Sequence, residues 1–155
     1  MSFTISGIDP APFRRFYAMS DEERAAAGVI RVIADARPGF PCRVTLEDAA
    51  PGEALLLLNH EHLPVDTPYR SSHAIFVRDG AETPAHFADV VPDQLAIRLL
   101  SVRAFDDHGM MTDAEVVEGR DLPALIDRFF ADPAVAYLHA HNARRGCFAA
   151  RIDRC

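Results

Sequence analysis

The chain has 155 residues, 49% of them hydrophobic and 25% charged, a composition that suits one globular domain over residues 1–155, large enough to bury roughly 70% of its unfolded surface. Its net charge of −7, with no basic run longer than two residues, weighs against nucleic acid and anionic membranes as partners. All 16 basic residues are arginine and the eight glycines never lie closer than ten positions apart, which excludes Schiff-base lysine chemistry and glycine-rich phosphate cradles.

The opening MSFTISGIDPAPF has neither a basic start nor a continuous apolar run. The longest aliphatic stretch, Ala54 to Leu58, falls far short of the roughly 18 residues of a membrane span, so a cytoplasmic protein is expected. FTISGI reads as a first strand. SDEERAAAG reads as a short helix: Ser20 caps it, Glu23 completes a capping box, and Gly28 stops it. VIRVIAD and CRVTL read as strands, the second with Cys42 in phase with Val44 and Leu46 and with Arg43 on the opposite face. ALLLLNH and RSSHAIFV follow, and then LAIRLLSVRAF and MMTDAEVV flank DDHG, a hairpin about Gly109. In DLPALIDRFFADP, Leu122, Leu125, Ile126, Phe129 and Phe130 fall on one helical face, with Asp121 to cap it and Asp132-Pro133 to end it. VAYLHAH and CFAARI complete the series. Strands arriving in runs predict an α+β fold, a mostly antiparallel sheet with two helices, and leave a barrel-like closure open.

Three segments, PGFPCRVTL (Pro38 to Leu46), PYRSSHAIFVR (Pro68 to Arg78) and HAHNARRGCFAARI (His139 to Ile152), together resemble an uncharacterised bacterial family catalogued as a domain of unknown function, number 1203. The resemblance implies no activity, cofactor or catalytic residue. Function must be read from the residues.

The densest chemistry lies in YLHAHNARRGC, Tyr137 to Cys147. Strand alternation puts Tyr137, His139 and His141 on one face and Leu138 and Ala140 on the other. Matching the apolar sets of the two strands faces Leu138 with Ala150 and Ala140 with Phe148, which sets His141 opposite Cys147 and Tyr137 opposite Arg151. A four-residue turn with Gly146 in the left-handed conformation is the competing register, and it pairs His141 with Phe148. The apolar match favours the first. On that register Cys147 is the candidate nucleophile or redox centre, His141 its base with His139 beside it, and Tyr137, Arg144 and Arg151 the candidates to hold a small, polar, anionic ligand. Three cysteines without a secretory signal read as free thiols in a reducing compartment.

His60 and His62 form a second HxH pair, which on a strand offers two imidazoles on one side. Spacing alone demands no metal site, and no residue is assigned as a metal ligand. Tyr69, Ser71 and His73 alternate on one face of the next strand, a weak Ser-His signal without a nucleophile-elbow motif. No cofactor is identified. Three functions stay open: an enzyme or sensor of a small anionic molecule, a non-catalytic ligand-binding or protein-interaction domain, and a histidine-ligated metal enzyme. The last requires three imidazole or carboxylate groups to converge.

Overall fold

The computed structural model describes residues 1–155. In chain order the elements are β1 (Phe3–Ser6), α1 (Arg14–Tyr17), α2 (Asp21–Ala26), β2 (Ile30–Ile33), β3 (Ala54–Leu63), β4 (Ser71–Arg78), β5 (His86–Ala88), α3 (Asp93–Ala96), β6 (Leu99–Phe105), β7 (Met111–Glu118), α4 (Leu122–Phe130), β8 (Tyr137–Asn142) and β9 (Phe148–Arg154). The fold is α+β. Two antiparallel sheets form, six strands in the order β5-β1-β9-β8-β6-β7 and three in the order β2-β3-β4, with no closed barrel.

Local chemistry accounts for the elements that were legible. Ser20 Oγ accepts from the Glu23 N–H, and the Glu23 carboxylate accepts from the Ser20 N–H in return; this capping box starts α2, and Gly28 at φ 76° turns the chain away from it. Helix α4 buries Leu122, Leu125, Ile126, Phe129 and Phe130, each worth about 1.5–3 kcal/mol when fully buried. They pack on Leu100, Val102, Leu138, Ala140, Ala150 and Ile152 of the large sheet. Asp121 stands at the start of α4 without a side-chain cap, a difference from the sequence expectation. The β6–β7 hairpin turns at Gly109 (φ 80°), where the Asp106 carboxylate accepts from the N–H groups of His108 and Met110.

Two segments depart from the sequence reading. CRVTL is a buried turn and not a strand: Leu46 N–H bonds back to the Cys42 carbonyl, and Cys42, Arg43, Val44 and Leu46 are all buried because the loop is covered on both sides. Alternation therefore does not hold there, and Arg43 is as buried as its neighbours. Leu95 and Ala96 belong to α3, so the strand expected over LAIRLLSVRAF begins only at Leu99.

The small sheet packs Leu56, Leu58, Ile75 and Val77 against Phe13 and Phe16. The far end of its β3–β4 hairpin reaches the large sheet, where Leu63 joins Phe105 and Tyr137 in a separate apolar cluster. Strand β8 is consequently covered twice, by α4 on one face and by the β3–β4 hairpin on the other, and Tyr137, Leu138, His139, Ala140 and His141 are all buried. No helix is long and apolar enough to cross a membrane.

Candidate metal centre

The β8–β9 hairpin takes the competing register. Leu138 pairs with Ile152, Ala140 with Ala150 and His141 with Phe148, with an extra residue, Ala149, at a bulge; Tyr137 pairs with Asp153 and not with Arg151. Gly146 takes φ 78°, and its N–H bonds to the Asn142 carbonyl. The bulge corrects the expectation that Phe148 joins Ala150 and Ile152 in the α4 core: an extra residue reverses which face the strand presents. Phe148 instead stacks on His62, ring centroids 5.0 Å apart and 5° from parallel.

A second bulge acts on the other sheet. Glu61 pairs with Ser72 and Leu63 with Ser71, which leaves His62 as the unpaired extra residue of β3. His60 pairs with His73, but its ring meets Phe13 edge-on at 5.5 Å. His62 turns instead toward His73, His139 and His141, with centroids 5.5, 5.8 and 4.9 Å away. One HxH pair is thus split, and His73, which spacing did not connect with either pair, is brought in. One ring nitrogen from each of His62, His73 and His141 can be chosen so that all three lie within 4.8 Å of one another, a spacing that could hold a metal ion.

The hydrogen bonding of these rings is incomplete in an informative way. His141 Nδ1 lies 2.9 Å from the Gly146 carbonyl oxygen, which can only accept, so Nδ1 carries the proton and Nε2 presents a bare lone pair. That Nε2 is buried and has no partner, and neither does either ring nitrogen of His62. Buried polar atoms are nearly always satisfied, so three orphans in one cluster call for a partner that the chain itself does not supply, an ion or an ordered water. Burial is the main influence holding the rings neutral: it pushes His62 down to about 4 and His141 down to about 3 from 6.5, the Arg103 guanidinium pushes the same way, and at His141 the hydrogen bond to Gly146 opposes part of the shift. Neutral imidazole is the form that coordinates metals.

His139 stands beside the cluster, with its Nδ1 buried and unpartnered and its basicity lowered to about 2, chiefly by burial, but it is not one of the three residues whose ring nitrogens converge. Tyr137 is buried under Phe105 and carries the Arg151 guanidinium over its ring at 4.0 Å. Arg151 is also held by Asp153. Arg144 and Arg145 are exposed in the turn.

Cys147 is not the cross-strand partner of His141, which pairs with Phe148. In the observed register it is joined to Asn142 through the Asn142 N–H and its own carbonyl, and its Sγ meets Asn142 Nδ2 at 3.6 Å and Arg43 at 3.0 Å. This arginine belongs to the buried turn at residues 43–45. It is 1% exposed and donates also to the carbonyls of Phe148 and Pro41, so it ties the 41–46 loop to the start of β9. Burial lowers its basicity and Cys147 partly offsets this. All three cysteines are free.

Arg103 is a residue that sequence reading missed. It pairs with His139 across β6–β8 and sits on the histidine face, half-buried, with burial as the one influence lowering its basicity and no carboxylate against it. A groove of about 470 Å³ elsewhere, lined by Leu46, Asp48, Val91 and Gln94 among others, shares no residue with the histidine cluster.

A family model described as "Protein of unknown function (DUF1203)" matches residues 39–154, a span that contains every residue of the cluster. No curated protein and no solved structure matches the chain.

Proposed function

Since the chain belongs to the DUF1203 family, whose description assigns no function, we propose from the site itself that the protein binds one divalent transition-metal ion through His62, His73 and His141 and uses it on a small polar molecule. One observation carries this reading: His141 donates Nδ1–H to a backbone carbonyl and holds its buried Nε2 free beside two other imidazoles. Metal-bound histidines are oriented in this way in proteins generally, because the second hydrogen bond fixes both tautomer and ring direction. Imidazole ligands select zinc, iron, cobalt, nickel or copper over magnesium or calcium.

Three protein ligands leave a coordination position open, the pattern of catalytic and not of structural sites. A metal there supplies Lewis acidity and lowers the pKa of a bound water. Ligands on a tetrahedral ion at 2.1 Å are about 3.4 Å apart, so nitrogens within 4.8 Å of one another must close by up to about 1.4 Å. His73 is half-buried and stacks nearly parallel to His62, and a turn about its χ2 torsion on metal binding would supply this closure.

The test is calorimetric titration of chelator-treated protein with zinc or cobalt(II). One ion per chain is expected, with affinity lowered by more than about a hundredfold in His62→Ala, His73→Ala and His141→Ala. Stoichiometry well below one, or affinity indifferent to all three changes, would falsify the reading.

A second reading rests on Cys147, whose Sγ meets a buried arginine that has no carboxylate partner. A thiol so placed suits a sensor of oxidants or electrophiles, with Arg43 and not His141 as the activating group. Free thiols fit the cytoplasm expected from the sequence.

A further inference from the structure

We infer, resting on the metal reading above, that the ligand of this centre is a small oxyanion bound between the metal and the guanidinium of Arg103. The argument begins with charge. The converging ligands are three histidines with no carboxylate among them, so a divalent ion keeps its full double charge. Arg103 adds another positive charge on the same face of the large sheet, opposite His139 in register. Cations held together in a half-buried site need a counter-charge, and leaving them uncompensated is strongly unfavourable.

The chain does not supply that counter-charge. Other arginines near the two sheets are committed: Arg43 to carbonyls and Cys147, Arg98 to Asp48, Arg151 to Asp153 and the Tyr137 ring. Arg103 makes no such contact, although its neighbours along β6 are fully engaged in the core. Ser101 lies two residues earlier on the same face, paired with His141, and offers a hydroxyl to the same space. A planar guanidinium fork, a hydroxyl and an open metal position form a set suited to a ligand with two or more oxygens, one on the metal and the others on Arg103. Carboxylate and phosphate share that chemistry, and the experiment separates them.

Cobalt(II) loaded into the chelator-treated full-length protein provides the readout, because its visible absorption reports any ligand that enters the coordination sphere. Metal binding is measured first by calorimetry; its failure removes the metal reading and is seen before any anion is added. With cobalt bound, acetate and inorganic phosphate are titrated separately against a chloride control. The inference expects a saturable spectral change with at least one oxyanion, acetate alone assigning a carboxylate ligand and phosphate alone a phosphate. In Arg103→Met that oxyanion is expected to bind at least tenfold more weakly, and in Arg103→Lys by less. Cobalt affinity is expected to stay or rise in both variants, because a repelling charge has been removed or kept. That retained affinity also shows that the variants fold. No spectral change with either oxyanion, a chloride response of equal strength, or undiminished oxyanion binding in Arg103→Met overturns the inference while leaving the metal reading intact.

Discussion

His141 Nδ1 and the carbonyl oxygen of Gly146 are 2.9 Å apart, a contact that spans the β8–β9 turn and fixes which nitrogen of the buried ring is free. Gly146 can place its carbonyl there because it adopts φ 78°, a conformation open to glycine and costly to other residues. Gly146→Ala should therefore lower folding stability by about 1–2 kcal/mol. The same change should weaken zinc binding roughly tenfold or more by loosening His141, as competition with a chromogenic chelator would show. Unchanged zinc affinity in a destabilised variant would mean that the contact is structural alone.

The buried imidazoles set a pH dependence for the metal-free protein. In the fold His62, His141 and His139 sit at about 4, 3 and 2, against 6.5 when unfolded. Below pH 6.5 the unfolded chain therefore takes up protons that the folded chain refuses, and stability falls as pH drops. The loss runs from pH 6.5 down to about 4 for all three rings, after which His62 begins to protonate in place. Between pH 7.5 and 5, urea midpoints in the presence of chelator should fall, with the fully buried His139 and His141 each contributing up to about 1.4 kcal/mol per pH unit. A flat profile over that range would contradict the burial of the cluster.

His139 touches the site without joining the converging set, and its Nδ1 is buried without a partner. Replacing an unsatisfied polar ring with an apolar side chain of similar size removes a desolvation cost, so His139→Leu should raise stability by about 1 kcal/mol. Zinc affinity should remain within about threefold. Thermal melts and the same zinc titration decide it, and a large loss of affinity would place His139 among the ligands.

Arg43 binds two backbone carbonyls and the Cys147 sulfur from a position 1% exposed. Arg43→Met keeps the volume and strands the carbonyls of Pro41 and Phe148, at a cost of about 3 kcal/mol. A denaturant midpoint lowered accordingly is expected; an unaltered midpoint would show that solvent reaches the loop.

Timed alkylation of the folded protein should distinguish its thiols by burial alone in one respect: Cys42, 0% exposed, stays unmodified while Cys155 and Cys147 react. Modification of Cys42 at the rate of Cys155 would show that the 41–46 turn opens in the native state.

Local sequence determined the elements whose causes are local. Ser20 and Glu23 specify the start of α2, Gly109 with Asp106 the β6–β7 turn, and the spacing from Leu122 to Phe130 the buried face of α4, because capping and periodicity act within a few residues. The α+β class followed from strands arriving in runs. The opposing sets of β8 were also legible, with its histidines on one side and Leu138 and Ala140 on the other. Tertiary structure decided what those histidines meet. The bulge at Ala149 moved Phe148 to the histidine side, which apolar matching could not anticipate because it assumed unbroken alternation. The bulge at His62 separated that ring from His60, and the docking of the β3–β4 hairpin on the large sheet brought in His73 from 68 residues before His141. Arg43 read as the polar face of a strand and Arg103 as one arginine among sixteen; their surroundings come from loop and sheet packing, a long-range property that spacing along the chain does not encode.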